Sequence, residues 1–196
     1  LFNALSYAGT EALVGRKLVF VNCTHESLVG GHLELIHPDK VVLEVPTLGD
    51  DATPEEIAAL IPVFQSLRQR GFRLAFDQNL LRRAYVHWLP MASFIKLDML
   101  SFPVESAEAL VKFAQTHTTA QIVAEKVETQ EQFDATVDQV VTGVFLHSGQ
   151  VCSAGTRLIV EESVADRLVA AVAERAERIV VGPGSDPASR TGPLVS

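Results

Sequence analysis

Five short stretches of the chain are apolar almost without interruption, and a polar residue stands at or next to the end of each. They are LVFVN (18–22), VVLEV (41–45), RLAFD (73–77), FIKLD (94–98) and QIVAE (121–125), all rich in β-branched or aromatic residues. Such runs predict strands covered on both faces, as in a parallel sheet. Helical patterns lie between several of them. Thr53-Pro54-Glu55-Glu56 is a capping box with proline at the first helical position. Ile57, Leu60, Ile61, Phe64 and Leu67 then recur at helical spacing until Gly71, which reads as a C-cap. A second helix is expected over 107–116 with Leu110, Val111 and Phe113 inward. A third is expected over 134–147, with Val137, Val140, Val141 and Val144 inward and Gly149 breaking it. TRLIVE (156–161) reads as a sixth strand, Ser163 as the cap of a last helix ending near Gly182, and 182–193 as loop.

Strands alternating with helices predict an α/β fold with a parallel sheet. The expected architecture is an incomplete TIM-like (β/α) barrel, since a full barrel needs eight strands and the pattern supplies six. Asn22, Glu44, Asp77, Asp98 and Glu125 each fall at or beside the C-terminal end of a predicted strand. In such a barrel those ends converge on one rim, where active sites are assembled from several strands. Acid and amide groups gathered there are oxygen donors of the kind that hard cations such as Mg²⁺ prefer. The competing reading is that Asp or Asn simply ends a strand and starts a turn.

Composition narrows the classes. The 196 residues are 47% hydrophobic and 20% charged, with 24 acidic against 16 basic side chains and a net charge of −8. A mean hydropathy of +0.21 excludes a disordered chain. The acidic balance, with no basic stripe, argues against nucleic-acid binding. No apolar run reaches the roughly 18 residues that span a bilayer, and the first residues do not read as a secretory signal. Cys23 and Cys152 are the two cysteines, which points to a reducing, cytoplasmic setting. The chain opens on Leu1 and stops at Ser196 in mid-phrase, so a fragment is expected. The six histidines show no metal-ligand spacing, and Trp88 is expected in the core.

Over residues 1 to about 134, the phrases LVFVNCTHESL, VVLEV, RLAFD, FIKLDML and IVAEKVETQEQF resemble a divergent EAL domain of the cyclic di-GMP phosphodiesterase family, in its HDOD-linked branch. The resemblance implies a TIM-like barrel holding Mg²⁺ or Mn²⁺ on its rim, where a metal pair activates water against a phosphodiester. It assigns Asn22, Glu44, Asp77 and Asp98 to metal-ligand positions and Lys96 and Glu125 to catalytic ones. Departures are plain. The second residue of the family's aspartate pair is Gln78, and its glycine-rich loop is replaced by NLLRRAYVHWLP (79–90). Glu11-Ala12-Leu13 stands too close to Asn22 to be the family's signature strand and reads as the end of a helix.

From about 133 onward, GQVCSAGTRLIVEES (149–163) and GPLVS (192–196) resemble the catalytic-cysteine segment of the aldehyde dehydrogenase superfamily. The resemblance implies that Cys152 is the nucleophile and that the parent enzymes use NAD(P). The nucleotide-binding domain, the general-base glutamate and the oxyanion asparagine of that family have no counterpart here, and no G-x-G-x-x-G occurs. The two resemblances meet near EQFDATVDQ (131–139), so the chain looks chimeric, with segments 1–134 and 135–196. The expectation is a non-catalytic EAL-type signalling or interaction module. The alternative is a dehydrogenase-derived segment, inactive alone. Partners expected are a protein surface or a second copy, with weak cyclic di-GMP binding.

Overall fold

The computed structural model describes residues 18–150 and 158–194. Five strands form one sheet in sequential order. They are β1 (Val19–Asn22), β2 (Val41–Val45), β3 (Arg73–Asp77), β4 (Phe94–Asp98) and β5 (Gln121–Glu125). The first four pair in parallel, with Val19 opposite Val41, Leu43 opposite Leu74 and Phe76 opposite Ile95. Gln121 N–H donates to Ser93 O at 2.9 Å, joining β5 to the start of β4. The fold is therefore α/β with a curled parallel sheet, half of a barrel.

Alternation along each strand divides the sheet into two faces. One carries Val21, Leu43, Val45, Leu74, Phe76, Ile95 and Leu97, all buried. Helices α1 (His25–Val29), α2 (Pro54–Ala59) and α3 (Ile61–Gln69) connect these strands, together with 3-10 turns at Gln78–Leu81 and Arg83–Met91. Phe64 of α3 meets Phe76 at 5.5 Å and Trp88 at 4.8 Å, edge to face, and all three are buried. The opposite face carries Phe20, Val42, Ala75, Phe94 and Val123 in one apolar cluster.

Helix α4 (Val104–His117) leads into β5. The compact unit holding the first four strands comprises 18–98 and 110–123 among the described residues. The second comprises 99–109 and the described residues from 124 onward. Its α5 (Gln130–Phe145) and α6 (Glu162–Glu177) pack together around buried Val137 and Leu168. Arg175 of α6 pairs with Asp138 of α5, and Arg167 lies 4.1 Å over the Phe133 ring.

Several expectations are corrected. The single helix from Thr53 divides at Leu60, whose N–H turns back to Ala58 O. Pro62 stands in the first turn of α3, where its missing N–H removes the bond that would have continued α2. Both the Thr53 capping box and the Gly71 C-cap form as read, with Gly71 at φ 95° and Phe72 N–H bonded to Leu67 O at 3.1 Å. In α4 the inward stripe is Ala107, Val111 and Ala114, while Phe113 is exposed and stacks on His117 at 4.1 Å. Helix α5 starts at Gln130, four residues early, because the Thr129 hydroxyl accepts the Gln132 N–H at 3.1 Å. Gln132 answers by accepting the N–H groups of Glu128 and Thr129 and donating to Met99 O.

No strand runs through the described part of the expected sixth one, residues 158–161, where Leu158 and Ile159 are exposed. Helix α6 begins at Glu162 with Glu161 at the N-cap position but no side-chain capping bond, and Ser163 donates instead to the Glu161 carboxylate. Beyond α5, His147, Ser148 and Gly149 all take left-handed backbone, so the break is three residues long.

Candidate functional site

The face carrying Phe20, Val42, Ala75 and Phe94 becomes polar one step further along each strand. Two residues on from these four stand Asn22, Glu44, Asp77 and Lys96, and Asp98 follows Lys96 by two. The period of two puts all of them on the same side of the sheet. Register sets Asn22 opposite Glu44 and Asp77 opposite Lys96. Asn22, Glu44, Asp77 and Asp98 stand at or beside strand ends as read from sequence, and Glu125 ends β5 in the same manner. Its carbonyl accepts the Met99 N–H at 3.0 Å, and Lys126 after it turns into left-handed backbone at φ 54°.

The partners of these groups define the chemistry. Lys96 Nζ donates to Glu44 Oε2, an ion pair between two strands that are not neighbours. The two side chains are only 16% and 17% exposed. Between them runs β3, whose residue in register with Glu44 is Ala75, a bare methyl. Asp77 accepts the Asn79 N–H at 2.7 Å and, more weakly, the Thr47 hydroxyl at 3.4 Å. Gln78 Oε1 accepts the Asp98 N–H at 3.2 Å. Asn22 is exposed. Thr47 and Ala75 were missed from sequence. The usable signal was an alanine at an inward position of a strand otherwise built from larger residues.

Beside the rim, the Cys23 N–H bonds to Glu44 O at 2.9 Å and its thiol donates to Val21 O at 3.3 Å. Burial pushes the Cys23 thiol up to about 11; the Glu44 carboxylate adds to the rise and a hydrogen bond with Ser27 opposes it. This thiol is a packed, protonated group, unfit as a nucleophile.

Mg²⁺ and Mn²⁺ ask for several oxygen donors around one point. Among the described residues, no three His, Cys, Asp or Glu side chains gather in a way that could hold a metal. One Glu44 oxygen faces an ammonium, and an amide stands where a second aspartate would. Among the described residues, the rim as folded does not fit a divalent cation.

Cys152 and Glu11-Ala12-Leu13 lie outside the described residues. In the second unit a cleft of about 280 Å³ opens at the start of α5, lined by Val127, Thr129, Gln130, Phe133, Val164 and Arg167 among others. It contains none of the candidate residues. Among the described residues no helix is long and apolar enough to cross a membrane.

Known proteins similar to this chain include aldehyde dehydrogenases and a cyclic di-GMP phosphodiesterase, and both likenesses expected from sequence are present. Residues 118–196 match the aldehyde dehydrogenase family. Betaine aldehyde dehydrogenase of Bacillus subtilis is 46% identical over 63 residues, which is 32% of this chain and 13% of that protein. Human retinal dehydrogenase 2 is 45% identical over 62 residues, 32% of this chain and 12% of the relative. Cyclic di-GMP phosphodiesterase CdgJ of Vibrio cholerae is 30% identical over 128 residues, 64% of this chain and 28% of the relative. That alignment is longer than the 118–196 stretch and so takes in residues ahead of it. The chain thus spans between 12% and 28% of the length of these relatives. Among solved structures, Staphylococcus aureus betaine aldehyde dehydrogenase in complex with NAD⁺ overlaps 80% of this chain and 31% of its own, at 22% identity and a TM-score of 0.33.

Proposed function

We propose that this chain acts without catalysis of its own. Residues 1–134 form a degenerate EAL-type signalling and interaction module, and residues 135–196 are an aldehyde dehydrogenase-derived segment that does not oxidise aldehydes alone. The observation that carries the reading is the rim: Glu44 is paired with Lys96, and Gln78 replaces a carboxylate and spends its amide on the Asp98 backbone. Two-metal hydrolysis needs open, convergent carboxylates to lower the pKa of a bound water and to balance phosphoryl charge. Here one of the rim carboxylates, Glu44, already faces an ammonium. The partner is a protein surface or a second copy of the chain in the cytoplasm, and cyclic di-GMP binds weakly and is not turned over.

The test is to incubate the purified chain with cyclic di-GMP and millimolar Mg²⁺ or Mn²⁺ and to follow the products by chromatography. No linear dinucleotide is expected. Turnover that disappears in Asp77→Asn would overturn the reading. A parallel incubation with NAD(P)⁺ and several aldehydes should give no nicotinamide reduction, and reduction abolished by Cys152→Ser would overturn the second half. Light scattering on the eluting chain then checks for self-association.

A further inference from the structure

We propose that the end of the sheet opposite the polar rim is a docking surface for a second copy of this chain, whose acidic helix α6 seats on it. The inference names the partner of the interaction module proposed above and rests on that reading.

The chain segregates its charge. From residue 57 to 76 it carries three arginines and no acid, although its net charge is −8. Parallel strands gather their starts at the end of the sheet away from the rim. There Lys40 stands just before β2 and Arg73 opens β3, while Arg68 lies in the last turn of α3 and Arg70 caps it. Contacts tie this end together. Arg73 donates to Asp39 O and Arg68 to Pro90 O, and a Cβ added at Gly71 would lie 3.2 Å from the Pro38 side chain. The Arg70 guanidinium lies 5.3 Å from the centre of the Phe72 ring. Carbonyls and rings are neutral, so these arginines keep their full charge. The acids in the adjoining segment are Glu34 and Asp39, and the Asp39 carboxylate already lies 3.4 Å from His37 Nδ1. Between them in sequence, Leu35 is 69% exposed.

Helix α6 carries the complement. Glu162, Asp166, Val169, Ala173 and Glu177 recur at helical spacing, so they share one face. All five are exposed, while Leu168 on the other side is buried where α6 packs on α5. Three carboxylates thus flank an exposed valine, with no cation among the five. An apolar centre inside a charged rim is the common plan of protein interfaces. Two copies of a chain this acidic repel each other over most of their surfaces. The basic end is the place where an acidic face of another copy is attracted instead, and the opposed charges fix which faces meet. Since the two faces differ, the contact is head to tail.

The experiment follows the mass of the wild-type chain by light scattering over a range of concentrations, at about 50 and about 500 mM NaCl. At low salt the mass should exceed 21.3 kDa and rise with concentration, and at high salt it should fall to that of one copy. Arg68→Glu/Arg70→Glu and Asp166→Lys/Glu177→Lys should each weaken the association about tenfold or more. Mixing the two variants should restore it, because opposite charges then meet at the contact again. Circular dichroism checks that both variants fold. If the first does not, Lys40→Glu/Arg70→Glu replaces it with the same outcomes. A wild type that stays at one copy's mass at low salt overturns the proposal. It does so equally if immobilised polyglutamate retains the chain, which would give the basic end to a different acidic protein. Association that survives both charge reversals, or grows with salt, also overturns it. Cyclic di-GMP is assayed on the same samples. Turnover by the wild type defeats the non-catalytic reading, whereas one copy's mass without turnover defeats only the docking surface.

Discussion

The rings of Phe20 and Phe94 meet edge to face with centroids 5.2 Å apart, although their strands stand three apart in the sheet. A flat sheet would hold such strands about 14 Å apart. The contact therefore measures how tightly the sheet curls, and it roofs the apolar layer made by Val42 and Ala75 beneath the polar rim. Phe94 is fully packed and Phe20 half-buried. Phe94→Ala is expected to cost about 3–5 kcal/mol, as for other buried aromatic truncations. Phe20→Ala should cost less, about 2 kcal/mol, because less area leaves water on folding. A double-mutant cycle by urea denaturation should return a coupling of about 0.5–1.5 kcal/mol between the rings. Zero coupling would mean that the curl is held from elsewhere.

Trp88 contributes both packing and a hydrogen bond. Its Nε1–H donates to Ile57 O at 2.9 Å, and its ring contacts Phe64, Phe76 and Tyr85. Trp88→Phe keeps part of the ring and loses the bond, leaving a buried carbonyl unpaired. A loss of about 2–3 kcal/mol is expected, of which 1 kcal/mol or so belongs to the hydrogen bond. Since Trp88 is the single tryptophan, the wild-type fluorescence itself tests the placement: the emission should be blue-shifted when folded and move red on unfolding.

The strands were legible because continuous apolarity over five residues, closed by a polar one, has few other readings. Strands β2 to β5 have the bounds read from sequence, and β1 lacks only Leu18. Helical faces were less legible. Phe113 has the right spacing to point inward, yet in α4 the small Ala107 and Ala114 lie inward with Val111 while the Phe113 ring stacks on His117. The break at Leu60 was written in Pro62 but outweighed by an unbroken apolar period. At the rim, sequence gave the positions and not the partners. Glu44 and Lys96 are 52 residues apart, and the space that lets them meet is a property of Ala75 on a third strand. Pairing of that kind is decided by the curl, which no local pattern encodes.

That space makes a prediction of its own. Ala75→Leu would place a branched side chain at the register position opposite Glu44, in a layer already closed by Phe94. Overpacking costs about 1–3 kcal/mol, and parting a partly buried ion pair adds to it. The variant should be less stable than Ala75→Gly, which keeps the passage open and loses only a methyl and some backbone stiffness. The reverse order in denaturant midpoints would show that the pair does not pass over β3.

Cys23 ties the rim to pH. Its thiol is raised from 9.0 to about 11, with burial as the first cause. A group whose folded value is raised binds its proton more tightly in the folded state. Its contribution is therefore complete below pH 9 and is lost as pH rises from about 9 to 11, by up to roughly 2–3 kcal/mol. Cys23→Ala or Cys23→Ser should flatten the fall in stability across that range. At pH 8 about one Cys23 in a thousand is a thiolate. Iodoacetamide mapped by peptide mass should thus leave Cys23 untouched in the folded chain and label it readily in urea.

Gln78 is the position where this rim departs most from the phosphodiesterase pattern, so returning the carboxylate there is informative. Gln78→Asp shortens the side chain by one methylene and withdraws the oxygen that now accepts the Asp98 N–H at 3.2 Å. It also sets a second negative charge beside Asp77. The lost hydrogen bond costs about 1 kcal/mol, and the like charges add to it at neutral pH. Because the new carboxyl sits among acids, its protonation is favoured and its pKa is raised. The charge part of the penalty should fade as pH falls toward 5, while the hydrogen-bond part persists. Urea denaturation at the two pH values separates them. Millimolar Mg²⁺ should not restore the loss, since no three acidic, histidine or cysteine side chains among the described residues gather to hold a metal. A full recovery of stability by Mg²⁺ in Gln78→Asp alone would mean that a second carboxylate suffices to rebuild the metal site.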